Sequence, residues 1–318
     1  MISMTGKAIR RWWALFALPT FAAFMIGFVV PFIMGLYLSF CKFSTVTDAQ
    51  FIGIDNYVNA VQDKEFWNAL VYTVLFTIVT TIVINVAAFA IAYMLTKRFA
   101  GTNIFRSVFF MPNLIGGIIL GYIWLLLLNG VLAHWGRSIT YSGVYGFWGM
   151  VMLYCWQQIG YMMIIYIAGL QALPGDVLEA AAVDGATNTQ TLFQITIPLM
   201  MPSITVCSFL TVTGGFKMFD QNLALTNGAP SNSSELLALN IYRTFYGRAG
   251  FEGVGQAKAV VFFIIVALIA IIQNLADILW DRLEDPTPVL HPRTVHRKGS
   301  RRLPRASAVG RRRRACTR

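Results

Sequence analysis

The chain is 318 residues long, 57% hydrophobic and only 12% charged, with a mean hydropathy of +0.62; soluble domains carry about 25% charged residues, so a water-soluble globule is excluded. The net charge of +11 raises a nucleic-acid reading, yet residues 282–318 hold 12 of the 25 Lys and Arg beside only Glu284 and Asp285. The rest of the chain is nearly neutral, with 13 basic and 12 acidic side chains, so the basicity belongs to a tail and not to a nucleic-acid-binding face.

In chain order, Lys7, Arg10 and Arg11 come first, and an apolar run over residues 12–41 follows. A secretory h-region is about 7–15 residues, half this length, so the run is read as a retained membrane helix. Further apolar runs occupy residues 66–95, 108–128, 145–170, 197–219 and 259–279. Crossing a bilayer takes roughly 20 apolar residues in a helix, which satisfies its own backbone where no water can. The expectation is an all-α, polytopic transmembrane bundle with about six spans over residues 12–281. A cytoplasmic N-terminus, residues 1–11, precedes it, and a basic, disordered cytoplasmic tail, residues 282–318, follows it and touches anionic lipid.

The loops set the orientation. With the N-terminus inside, the inner segments hold 18 Lys and Arg, and the outer ones hold Lys42, Lys64, Arg137, Arg243, Arg248 and Lys258. The tail dominates that asymmetry. A cleaner contrast sets Lys97, Arg98 and Arg106 in the first inner loop against Asp48, Asp55, Asp63 and Glu65 in the first outer one. Both termini are expected in the cytoplasm. The inner loop at residues 171–196 contains Asp176, Glu179 and Asp184 but no Lys or Arg, so something other than lipid headgroups faces it. The outer loop at residues 220–258 is rich in Gly, Asn and Ser.

Catalytic signatures are absent: the sequence has no GxxxxGK[ST] phosphate loop, HExxH pair or GxSxG turn, and His134, His291 and His296 lie outside the apolar runs. Cys41, Cys155, Cys207 and Cys316 are far apart, without CxxC or metal-ligand spacing. The chain is read as no enzyme and as holding neither cofactor nor metal; any ATP must be bound by a partner.

On the fourth run, Tyr154, Gln157, Gln158 and Tyr161 fall at i, i+3, i+4 and i+7 and share a helical face. Amide and phenol groups suit the recognition of hydroxyls, and unpaired polar groups in lipid are costly, so the face is expected to point inward. On the fifth run, Ser208, Thr211, Gly215 and Met218 make a comparable stripe. The same residue types join transmembrane helices to one another, so solute contact and interhelical glue both remain open. Asn85 is read as a helix-packing group, and Lys217 with Asp220 as an interfacial pair at i, i+3.

The most informative stretch is Glu179-Ala180-Ala181-Ala182-Val183-Asp184-Gly185-Ala186, followed by Ile195-Thr196-Ile197-Pro198. Pro174-Gly175-Asp176 before it is a helix-start signature, with a carboxylate near the free N–H groups of the first turn. Small alanines permit close contact with another surface, Gly185 permits a sharp exit, and Pro198 suits the first turn of the next span. A short amphipathic helix at the cytoplasmic surface is expected.

This stretch resembles the EAA loop of the ABC-importer permeases: EAA, three residues, Gly, nine residues, Ile, one residue, Leu-Pro. Glu179, Ala180, Ala181, Gly185, Ile195 and Pro198 match at that spacing, and Ile197 stands where Leu is usual. Phe219-Asp220, Leu225-Thr226-Asn227-Gly228-Ala229-Pro230, Ala238-Leu239 and Ile241-Tyr242-Arg243 resemble the carbohydrate branch, the first of two unlike subunits, with Ala229 where Gly is more usual.

The resemblance implies a coupling helix, roughly residues 174–185, that docks Glu179, Ala180, Ala181, Asp184 and Gly185 on a cytoplasmic ATPase. The implied partners are a second homologous permease, two ATPase subunits that bind the ATP, an extracellular solute-binding protein, membrane lipid and a sugar, without nucleic acid. The location would be a prokaryotic inner membrane. Tyr154, Gln157, Gln158, Tyr161, Thr211, Gly215 and Met218 would then line the solute path. Two alternatives compete with this reading: a permease for a non-sugar solute such as a polyamine or a phosphate ester, and a membrane scaffold using its basic tail. Nearly charge-free spans favour a neutral solute.

Overall fold

The computed structural model describes residues 15, 17–97 and 101–284, and side chains as far as residue 275. The expected N-terminal segment 1–11 and the tail beyond Glu284 lie outside the described residues. The chain divides into two units after Asp277; the described part of the second, from Ile278 to Glu284, is helical.

Among the described residues, four helices are long and apolar enough to cross a membrane. They are α1 (Ala17–Leu38), α3 (Lys64–Thr96), α6 (Gly143–Ala172) and α12 (Glu252–Glu284), the last through its Glu252–Leu275 portion. Two helix pairs are apolar enough together but bent: α4 (Thr102–Leu114) with α5 (Gly117–Ala133) turns by 100°, and α8 (Asn188–Leu199) with α9 (Met201–Phe216) turns by 68°. Counting each pair as one span gives six.

The expected continuous third span, residues 108–128, is thus corrected to a broken one. Pro112 lies in a closing 3₁₀ turn, and Ile115 and Gly116 are extended before α5 begins. Pro removes a backbone donor, and a chain bent this sharply must leave helical geometry. The fifth span is likewise interrupted: a π turn, Leu192–Thr196, leads to Ile197–Leu199, and the chain bends at Met200. Pro202, not Pro198, occupies the first turn of α9.

Packing centres on α3 and α6. Phe76, Ile84, Ala88 and Ala92 of α3 bury against a cluster that includes Leu153, Met163 and Tyr166 of α6. Hydrophobic drive between helices is weak in lipid, so close approach through small residues carries the association. Gly160 of α6 is the extreme case: a Cβ there would lie 1.8 Å from the Phe109 carbonyl oxygen, so α6 and α4 touch backbone to backbone.

The end remote from the inner loop is tied together by polar groups. A two-stranded antiparallel ribbon, β1 (Cys41–Lys42) and β2 (Gln50–Phe51), leads into α2 (Asp55–Gln62), where the Asn56 amide donates to the Ser39 and Cys41 carbonyls. After α9 come α10 (Asp220–Leu225) and α11 (Leu237–Gly247). The turn between them contains Asn227, Gly228, Ser231 and Asn232, all at positive φ. The Arg243 guanidinium holds that turn, donating to Asn232 Oδ1 at 2.7 Å, Asn227 Oδ1 at 2.9 Å and Glu235 Oε1 at 3.1 Å.

Lys258, which sequence reasoning counts among the outer aqueous cations, is fully buried. Its ammonium donates to Asp63 Oδ2 at 2.6 Å, Thr244 Oγ1 at 2.8 Å and Asn240 Oδ1 at 2.9 Å. The starts of α3 and α12 are thereby joined to α11. Burial alone would raise the Asp63 carboxyl, but the hydrogen bond and charge of Lys258 and the Glu65 amide hold it below the ordinary value.

Candidate functional site

The inner loop forms α7 (Gly175–Val183) between α6 and α8. Pro174 stands in extended conformation at its N-cap, and Asp176 lies in its first turn. At the far end Gly185 takes φ +79°, the Gly185 N–H donates to the Ala182 carbonyl at 3.2 Å, and the Ala186 N–H reaches back to Ala181 at 3.0 Å. This is a Schellman closure, which needs a residue free to adopt left-handed backbone. Thr187 and Gln190 then cap the next helix reciprocally, with the Thr187 N–H donating to Gln190 Oε1 at 2.8 Å. Glu179, Ala180, Asp184 and Gly185 are exposed, and Ala181 is buried. The helix is a largely exposed projection on the loop that joins α6 to α8 and α9.

The four α6 residues expected on one face are divided among neighbours. Tyr154 is buried, with its ring 5.6 Å from that of Phe76 and its hydroxyl against Gly214. Gln157 is also buried; its amide donates to the Ile115 carbonyl at 3.3 Å and accepts from Gln221 at 2.8 Å. Gln158 is half-buried and accepts from the Asn113 amide at 3.3 Å, while Tyr161 remains 37% exposed beside Phe110. The division follows from the bend between α4 and α5: an unpaired carbonyl at Ile115 needs a donor, and Gln157 supplies it.

Thr211, Gly215 and Met218 are buried. Thr211 donates to the Cys207 carbonyl at 2.9 Å and accepts from the Asn85 amide at 3.0 Å; a Cβ on Gly215 would lie 2.8 Å from Thr77 Oγ1. Asn85 also donates to the Thr81 carbonyl at 2.8 Å and accepts from the Tyr166 hydroxyl at 2.7 Å, so it binds α3, α6 and α9 together. Beside this node lies an apolar cavity of about 530 Å³, lined by Phe89, Tyr93, Phe193 and Ile197 among others. The expected Lys217–Asp220 pair does not form: α9 ends at Phe216 and α10 restarts at Asp220, so the helical i, i+3 geometry is lost. Among the described residues, no three His, Cys, Asp or Glu side chains converge as metal ligands.

Residues 96–284, which include α7, match the family of binding-protein-dependent transport system inner membrane components. The chain belongs to this family. Among the relatives of this permease is a probable starch degradation products transport system permease protein, AmyD, of Thermoanaerobacterium thermosulfurigenes. It is 40% identical over 270 residues, covering 82% of this chain and 92% of the relative. The multiple sugar-binding transport system permease protein MsmF of Streptococcus mutans is 28% identical, covering 84% and 96%. In solved structures, the permease fold matches a bacterial ABC transporter involved in the import of the acidic polysaccharide alginate, with TM-score 0.73 at 21% identity, covering 86% of this chain and 98% of the other.

Some structural residues of the permease escape sequence reasoning. Asn222 donates to the Ser234 carbonyl and accepts from the Leu236 N–H, which fixes the turn before α11. Gln221 and Asn113 partner the two α6 glutamines. An isolated Asn or Gln carries no sequence signal for such a role.

Proposed function

We propose that this permease is one of two unlike membrane subunits of an ABC importer for sugars or oligosaccharides. A second homologous permease, two ATPases that bind the ATP and an extracellular solute-binding protein complete the assembly. Both termini face the cytoplasm. The observation that carries the reading is α7: a helix closed at its C-terminal end by Gly185 and Ala186, exposed along Glu179, Ala180, Asp184 and Gly185, in the loop that joins α6 to α8 and α9. Docked in an ATPase cleft, it passes the closure of the ATPases to those helices, and the path alternates between the two sides of the membrane. The sugar reading draws on the named relatives and on spans that offer amides and hydroxyls but few charges.

The solute meets Gln158 and Tyr161, the members of the α6 face left partly open. Tyr154, Gln157, Thr211, Gly215 and Met218 back the path from behind.

The test is Gly185→Val in the complete transporter. At φ +79° a β-branched residue is strained, so the closure of α7 should be lost. ATP hydrolysis should continue while uptake of sugar per assembled complex falls. Wild-type uptake at normal assembly would refute the coupling role.

A further inference from the structure

We propose that Phe219, Tyr242 and Tyr246 form an aromatic entry track for an oligosaccharide, leading from the outer surface to the mouth of the solute path. The inference rests on the sugar-importer reading above. The rings follow one another closely: Phe219 and Tyr242 have centroids 5.1 Å apart, and Tyr242 and Tyr246 have centroids 5.0 Å apart. Tyr242 and Tyr246 stand one turn apart on α11, so they share a face. Exposure rises along the file, from half-buried Phe219 to Tyr242 at 43% and Tyr246 at 73%. Beside the rings runs an open groove of about 370 Å³, bounded on its other side by Gln256 and Ala259 of α12.

Position gives the file its direction. Phe219 follows directly on buried Met218, at the end of the fifth span remote from α7. A molecule sliding from Tyr246 to Phe219 therefore arrives beside Met218, which backs the proposed path. Lys217 and Asp220 flank this inner end, both exposed and not paired with each other, so an ammonium and a carboxylate are available to hydroxyls there.

The chemistry selects a sugar chain. One face of a pyranose ring is lined by C–H bonds, which suit the negative face of an aromatic ring, while its rim of hydroxyls stays in water. Adjacent rings let a chain of such units move on by one without losing contact. Tyr residues also serve as anchors at the membrane–water interface, so the test must separate the two roles.

The experiment uses the complete transporter in lipid nanodiscs and vesicles, with glucose and maltotetraose as probes. Tyr242→Leu and Tyr246→Leu keep an apolar side chain but remove the ring. At limiting concentrations of loaded binding protein, maltotetraose uptake per assembled complex should fall about three- to tenfold for each, and glucose uptake should fall less. Tyr242→Phe and Tyr246→Phe, which retain the ring, should restore uptake. Saturation-transfer NMR should show maltotetraose C–H protons receiving magnetisation from the wild-type complex and losing it in the double Leu variant. Three results overturn the track: Leu variants that import maltotetraose at the wild-type rate, equal losses for both sugars, or losses explained entirely by reduced assembly, as an interfacial anchor or a contact with the second permease requires. A wild-type transporter that imports neither probe nor any other sugar would instead refute the sugar reading itself.

Discussion

Replacing Lys258 with Met removes one ammonium and leaves three polar side chains without their donor. Truncating one partner of a buried ion pair costs about 3–5 kcal/mol, because the other charge stays behind uncompensated. Asp63 keeps 20% of its side chain exposed, so water screens part of that loss, and the expected cost falls to about 2–4 kcal/mol. Met fills nearly the same volume, so packing contributes little. Asp63→Asn should also destabilise, by stranding a fully buried ammonium on the two neutral acceptors Asn240 and Thr244. The double variant should be more stable than the sum of the two losses implies, by about 1–3 kcal/mol. The assay is reversible unfolding of the purified complex in detergent, with the four proteins of the cycle measured side by side. Additive losses to within about 0.5 kcal/mol would refute the claim that this pair joins α3, α11 and α12.

Other perturbations test separate parts of the permease. Gly160→Ala places a methyl group 1.8 Å from the Phe109 carbonyl oxygen and should lower the yield of folded complex, at about 1–3 kcal/mol or more, whereas Gly130→Ala meets nothing within 4 Å and should be tolerated. Gln157→Leu strands the Ile115 carbonyl and the Gln221 amide and should reduce stability by about 1–3 kcal/mol; Gln158→Leu should leave assembly intact and weaken sugar uptake per complex. Reversed outcomes for the two glutamines would overturn their assignment. Asp63 has a carboxyl held below the ordinary 3.8, so its stabilising contribution is complete above that pH and fades as pH falls through the lower folded value. The stability difference between wild type and Asp63→Asn should therefore shrink in acid titration below pH 3.8, and a constant difference would contradict it.

Hydropathy made the unbroken spans legible. The run at residues 66–95 lies within α3, and the run at 145–170 within α6, because an apolar stretch in lipid has no alternative to helix. The same measure is blind to direction, so it read α4 and α5 as one rod. The signal for the break was present in Pro112, Gly116 and Gly117, which bear on the backbone and not on apolarity. The limits of α7 were legible because Pro174 and Gly185 act on their own immediate backbone. Lys258 was not, since its carboxylate partner is 195 residues away and only the folded chain brings them together. The α6 face was half legible: the helical spacing was readable, but which amide stays partly open and which serves a bent neighbour depends on a break that composition does not reveal.

The closure of α7 has a mechanical consequence. The Ala182 and Ala181 carbonyls in the last turn of α7 are satisfied by Gly185 and Ala186, so the C-terminal closure is made by the chain itself and not by a partner. A segment that ordered itself only on contact would spend part of the binding free energy on its own folding and would yield under load. In the proposed docking, a preorganised helix would act as a stiff lever: displacement of the surface it rests on would be delivered to α6 and α8 rather than absorbed in the loop. Loosening the closure alone should blunt the stroke even where every contact residue on α7 is kept.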